Sequence, residues 1–104
     1  MAERTDLTPI DEALHKLLNQ PSYAAQTLLV TARMLELDAD QPMTQTAREQ
    51  ALDIGADTIL SRLPDAVHED SLARAYKALP AVPSLSITRG EFALRVRKAA
   101  EALR

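Results

Sequence analysis

Residues 22–37 read S-Y-A-A-Q-T-L-L-V-T-A-R-M-L-E-L, and the spacing of their apolar side chains decides how the rest of the chain is organised. Wound as a helix at about 100° per residue, Ala25, Leu28, Leu29, Ala32 and Leu35 fall on one side. Tyr23, Val30, Met34 and Leu37 run down roughly the opposite side. A helix that is apolar on two sides needs cover on two sides, from its own flanking segments, from a second copy or from another protein. The first stripe is expected to pack on the chain's own helices. Some of Tyr23, Val30, Met34 and Leu37 are expected to lie in or near an association surface, because large exposed apolar patches are uncommon on monomers.

Working outward, prolines at 9, 21, 42, 64, 80 and 83 punctuate segments that each hold one helical period. Proline is tolerated in the first turn of a helix and breaks its interior, so these positions read as helix boundaries. The expectation is an all-α compact bundle of about five helices, near 9–19, 22–37, 43–63, 67–79 and 88–103, forming a single domain over 1–104. Residues 1–7 are expected to be disordered or loosely held, and 80–87 to be a proline-containing connection pinned by Val82 and Leu85. The first helix carries one narrow stripe, Ile10, Ala13, Leu14, Leu17 and Leu18. In the third, Thr46 and Glu49 suggest a capping box and Leu52, Ala56, Ile59, Leu60 and Leu63 the buried stripe; in the fourth, Leu72, Ala75, Tyr76 and Leu79 share a face. The last has the clearest start, with Thr88 and Glu91 as a capping box and Ile87 set to staple onto Phe92. On its outer side Glu91 is expected to face Arg95, and Arg97 to face Glu101.

Composition fits this reading. The chain has 104 residues, 46% hydrophobic and 26% charged, with three aromatic side chains and 18 alanines, so its core is aliphatic and closely spaced. There is no cysteine, which removes disulfides, thiolate nucleophiles and cysteine-based zinc sites together. The opening M-A-E-R-T-D lacks the build of a signal peptide, and no apolar run reaches the roughly 20 residues of a membrane span, so a cytoplasmic location is expected. Charge is unevenly placed. Residues 1–70 hold five Arg/Lys against thirteen Asp/Glu, and residues 71–104 hold seven against two. Two halves of opposite sign attract each other within or between chains, or else provide a basic end for nucleic acid.

Three constellations invite a chemical reading. Glu49, Asp53 and Asp57 repeat at i, i+4 and i+8; like charges so placed repel by a few tenths of a kcal/mol per pair, so the row is not there for helix stability. Asp38, Asp40 and Glu49 occupy positions 1, 3 and 12 of a calcium loop, but Pro42 stands at position 5 and Met43 where the sharp turn needs glycine. R-E-Q-A-L-D-I-G-A-D-T-I-L-S-R-L, residues 48–63, looks like the alanine-then-glycine signature of a helix-turn-helix, with Ala51 four residues ahead of Gly55. That resemblance implies a turn at Gly55 and a second helix that enters the major groove. Pro64 shortens this second helix to about six residues, and Arg62 is its one basic side chain, so a continuous helix with Gly55 at a close crossing is the preferred alternative.

The function expected from these residues is association. The chain reads as a small soluble helical protein-interaction or regulatory protein, acting on itself as a homo-oligomer, on another protein, or both. Tyr23, Val30, Met34 and Leu37 are the candidate partner-binding residues. The alternative is a DNA-binding regulator using a degenerate helix-turn-helix at 48–63 and the basic last helix, where Arg89, Arg95, Arg97 and Lys98 would meet nucleic acid or an acidic partner. No catalytic residue, cofactor or metal site is expected, since the chain has two glycines, no paired histidines and no nucleophile elbow.

Overall fold

Each helix begins where a cap or a proline closes its first turn. The computed structural model describes residues 21–103, which form α1 (Tyr23–Glu36), α2 (Gln45–Leu60), α3 (Asp65–Ala78) and α4 (Arg89–Ala102). The expected helix 9–19 and the N-terminal 1–7 lie outside the described residues. Ser22 caps α1, its Oγ accepting the Ala25 N–H at 3.1 Å. Thr44, rather than the expected Thr46, caps α2 by accepting the Ala47 N–H at 3.0 Å; Glu49 instead accepts a hydrogen bond from Gln45. Pro64 precedes α3 and no side chain caps it. Thr88 and Glu91 form the expected capping box of α4, with the Thr88 N–H donating to Glu91 Oε1 at 2.9 Å. Helix α2 stops at Leu60, short of the expected 63, and α3 begins directly after Pro64 instead of near 67.

Helix α1 packs against each of the other three. Ala25, Leu28, Ala32 and Leu35 are buried as the first stripe requires, and Leu29 is half-buried against the core. The second buried face differs from the expected one. It runs through Ala24, Thr27 and Thr31, adjoining the first stripe, so α1 is covered over one continuous arc and not on two opposite sides. The threonines tolerate burial because each hydroxyl donates to the carbonyl four residues back, Thr27 to Tyr23 and Thr31 to Thr27, both at 2.8 Å. What they present outward is small. Gly55 of α2 fits against them so closely that a Cβ there would stand 2.6 Å from the Thr27 carbonyl oxygen and 2.7 Å from Thr31 Oγ1.

Gly55 therefore sits in mid-helix at a crossing. The turn that the helix-turn-helix resemblance implies is absent, since α2 runs unbroken from Gln45 to Leu60. The physical reason is packing: the missing side chain lets two backbones approach, and the rest of the buried face, Ala47, Ala51, Leu52, Ala56 and Leu60, continues through it.

Helix α4 buries Phe92, Ala93, Val96 and Ala100 on the α1 side. The connection from α1 to α2 clamps its start: Met43 N–H donates to the Ile87 carbonyl, Arg89 N–H to Gln41 and Gly90 N–H to Ala39, at 2.8–2.9 Å. The one β-bridge among the described residues, Pro42 with Thr88, belongs to this clamp. At the other end Ser22 Oγ donates to the Leu103 carbonyl at 2.7 Å, so one hydroxyl serves the first turn of α1 and the last of α4. In the connection 80–87, Val82 and Ile87 pack on the core, but Leu85 is 79% exposed and pins nothing. No helix among the described residues is long and apolar enough to cross a membrane.

Candidate functional site

Arg48 is buried, and its position explains the opening beside it. Its Nε donates to the Pro80 carbonyl at 2.8 Å and its Nη2 to the Leu79 carbonyl at 3.2 Å, while the guanidinium lies 5.4 Å from the Tyr76 ring centroid. A cation thus serves the carbonyls just past the C-terminus of α3, where the helix dipole favours it, and holds that end of α3 to α2. Between this anchor and the 61–64 connection the two helices leave a groove of about 810 Å³. Leu52, Leu72, Ala73 and Tyr76 make its apolar surface, with Glu49 and Asp53 on the α2 rim and Glu69 and Lys77 on the α3 rim. Within α3 only Ser71 and Ala75 are fully buried, and Tyr76 is 55% exposed.

The sequence placed Leu72 and Tyr76 on a face toward the core and singled out the row Glu49, Asp53, Asp57. It did not join them across the groove, it read Glu69 only as a residue of the turn that opens the fourth helix, and it missed Ala73, Lys77 and the buried Arg48. The joinable signal was an acidic row on one helix beside an apolar stripe on the next.

The four residues expected to make one association surface are spread over the length of α1, about 20 Å from Tyr23 to Leu37 at the usual rise per residue. Tyr23 lines a small cleft with Val67 and Arg74 near the start of α1. Met34 and Leu37 line another with Ile54 and Arg89 at its end, where Leu37 is 67% exposed and Met34 is half-buried against the core. Val30, between the two, is half-buried.

The four basic candidates of α4 also divide. Arg97 donates through Nε and Nη2 to both carboxylate oxygens of Glu36 at 2.7 and 2.6 Å, in place of the expected Glu101. These hydrogen bonds hold the Glu36 carboxyl below its ordinary range and raise the Arg97 guanidinium above its own. Arg89 lies 3.7 Å from Asp38 and donates to the Pro42 carbonyl at 3.3 Å. Arg95 and Lys98 are exposed, about one turn apart on the outer side of α4. The N-terminus of α4 offers a phosphate little: the N–H groups of its first three residues already donate to Gln41, Ala39 and Thr88, and the Thr88 N–H keeps the Glu91 carboxyl below its ordinary range.

Asp38, of the calcium-loop reading, faces Arg89, and Glu49 accepts from Gln45. Among the described residues no three His, Cys, Asp or Glu side chains are grouped to hold a metal ion. Compared with known proteins, the chain matches no family model, no curated protein and no solved structure.

Proposed function

We propose that the protein works by association, as a small helical interaction or regulatory module, and that the groove between α2 and α3 is the face it presents. The observation that carries this is the half-exposed Tyr76 beside the buried Leu52, inside an opening rimmed by charge. An aromatic ring left in water forgoes roughly 25 cal/mol for each Å² it does not bury, and partners regain such area where a concave apolar floor is framed by polar groups. The clefts at Tyr23 with Val67 and at Leu37 with Ile54 are smaller openings of the same kind. The associate is another protein or a second copy of the chain, whose acidic and basic parts attract.

A photo-reactive amino acid placed at Tyr76, and separately at the exposed Arg62 as a control, tests the reading in the native cell. Discrete protein adducts from position 76 and none from 62 are expected. Absence of adducts at 76, and at 23 and 37 in parallel, would remove the proposal. Sedimentation velocity at micromolar concentration then tells self-association from capture of a different protein.

A further inference from the structure

We propose that the occupant of the α2–α3 groove is an amphipathic helix of a partner protein, apolar on one stripe and basic on its flanks; this rests on the association reading above. Shape comes first. Both walls are helices whose backbone groups are bonded within themselves, so no strand edge is offered for an extended peptide. The apolar residues Leu52, Leu72, Ala73 and Tyr76 instead make a trough that accepts side chains spaced i, i+3 or i+4, and i+7.

Charge narrows the choice. Glu49 and Asp53 stand one turn apart on the α2 rim, exposed Asp57 continues their row, and Glu69 faces them from α3. The ion pairs among the described residues are Arg89 with Asp38 and Arg97 with Glu36; neither involves a rim carboxylate, and Glu49 and Asp53, one turn apart, repel each other. Lys77, next to Tyr76, stands at the end anchored by Arg48, and Glu69 lies toward the 61–64 connection, so negative charge grows in that direction. Lysines or arginines flanking an apolar stripe relieve that repulsion and fix the direction in which the helix lies. Phosphate-bearing ligands meet the wrong sign. The protein's own α4 fits less well than a foreign helix: its outer face offers one exposed leucine, Leu94, and brackets Arg95 and Lys98 with Glu91 and Glu101, which would meet the acidic rim.

The test is a fluorescence-anisotropy titration of the full chain with a labelled synthetic helical peptide bearing leucines at i, i+3, i+4 and i+7 and lysines on both flanks. Binding is expected, with no binding by a peptide of the same composition in scrambled order. Ala73→Gln, a helix-compatible change at an exposed lining position, is expected to fill the trough and weaken binding about tenfold or more, which is 1.4 kcal/mol. The pair Asp53→Asn with Glu69→Gln is expected to do the same. Asp40→Asn with Glu101→Gln makes an equal charge change away from the groove and is expected to leave binding intact. Circular-dichroism melts establish that each variant is folded. Equal binding of the scrambled peptide, equal loss in the distant charge pair, or no binding at all overturns the proposal. Self-association that Ala73→Gln abolishes would seat a second copy in the groove, which also overturns it while leaving the association reading standing.

Discussion

Helices α1 and α4 form one antiparallel pair and α2 and α3 another, and they are closed to different degrees. The first is fastened at both ends and between, by Ser22 to Leu103, Glu36 to Arg97, the 39–43 clamp, and Phe92, Val96 and Ala100, and keeps a smaller opening of about 260 Å³ beside Leu29 and Glu101. The second is held at Arg48 and at the short 61–64 connection, with a groove in between. Small residues make the difference. Ala25, Ala32, Ala93 and Ala100 let α1 and α4 come close, whereas across the groove the larger Leu72 and Tyr76 meet a carboxylate-edged helix and stay partly wet. Helix pairs close when both facing surfaces are small and apolar, and stay ajar when one of them is charged.

The comparison breaks most severely at Phe92. Phe92→Ala is expected to cost about 3–5 kcal/mol of stability, read from urea unfolding, whereas truncating Tyr76 on the open pair should cost far less. Comparable losses at the two sites would mean that both pairs are equally closed. Next comes Gly55→Ala. Alanine gains about 1 kcal/mol in helix propensity, but its methyl would meet the Thr27 carbonyl at 2.6 Å, and backbone yields poorly. A net loss of about 1–3 kcal/mol is expected, and a raised melting temperature would show that the crossing has room.

A smaller effect follows from the Glu36 carboxyl. Its pKa is depressed in the folded state, chiefly by the hydrogen bonds from Arg97, so it contributes stability above the ordinary carboxylate pKa and loses it as pH falls through the folded value. The side chains are about one-third exposed, at 40% and 32%, so the contribution is expected to be under about 1 kcal/mol. Glu36→Gln should flatten the acid limb of a stability profile by that amount, and an unchanged limb would count against the pair. The smallest effect is reserved for α3 itself. Ala73→Gln is expected to leave stability within about 0.5 kcal/mol, while native-state hydrogen exchange should find α3 amides opening more readily than those of α1 and α4. Uniform protection across all four helices would erase the contrast.

Local signals carried well into the structure. The α4 start was legible because a capping box is written within four residues, Thr88 to Glu91, and the α1 stripe because Ala25, Leu28, Ala32 and Leu35 obey the helical period. Thr27 and Thr31 were passed over because a hydroxyl counts as polar in any pattern, although each satisfies itself on its own helix. Arg48 escaped for the opposite reason: its partners are carbonyls more than thirty residues away, and nothing in its neighbourhood announces them. Arg97 had a plausible neighbour in Glu101 and chose Glu36, 61 residues distant, because antiparallel packing brings that carboxylate alongside. The groove was half legible. Its acidic row and apolar stripe were visible separately, but the opening between them is set by how two helices lean, which periodicity does not encode.

Loops are usually where a family of proteins gains and loses residues. Residues 38–43 are a loop by shape only, since the carbonyls of Ala39 and Gln41 and the N–H of Met43 are engaged at the head of α4, and Gly90 leaves 3.0 Å for a methyl beside Ala39. One inserted residue would shift every one of these out of register, whereas a single added glycine near exposed Leu85 meets no such ladder. Length variation in this protein should therefore be permitted after α3 and forbidden after α1.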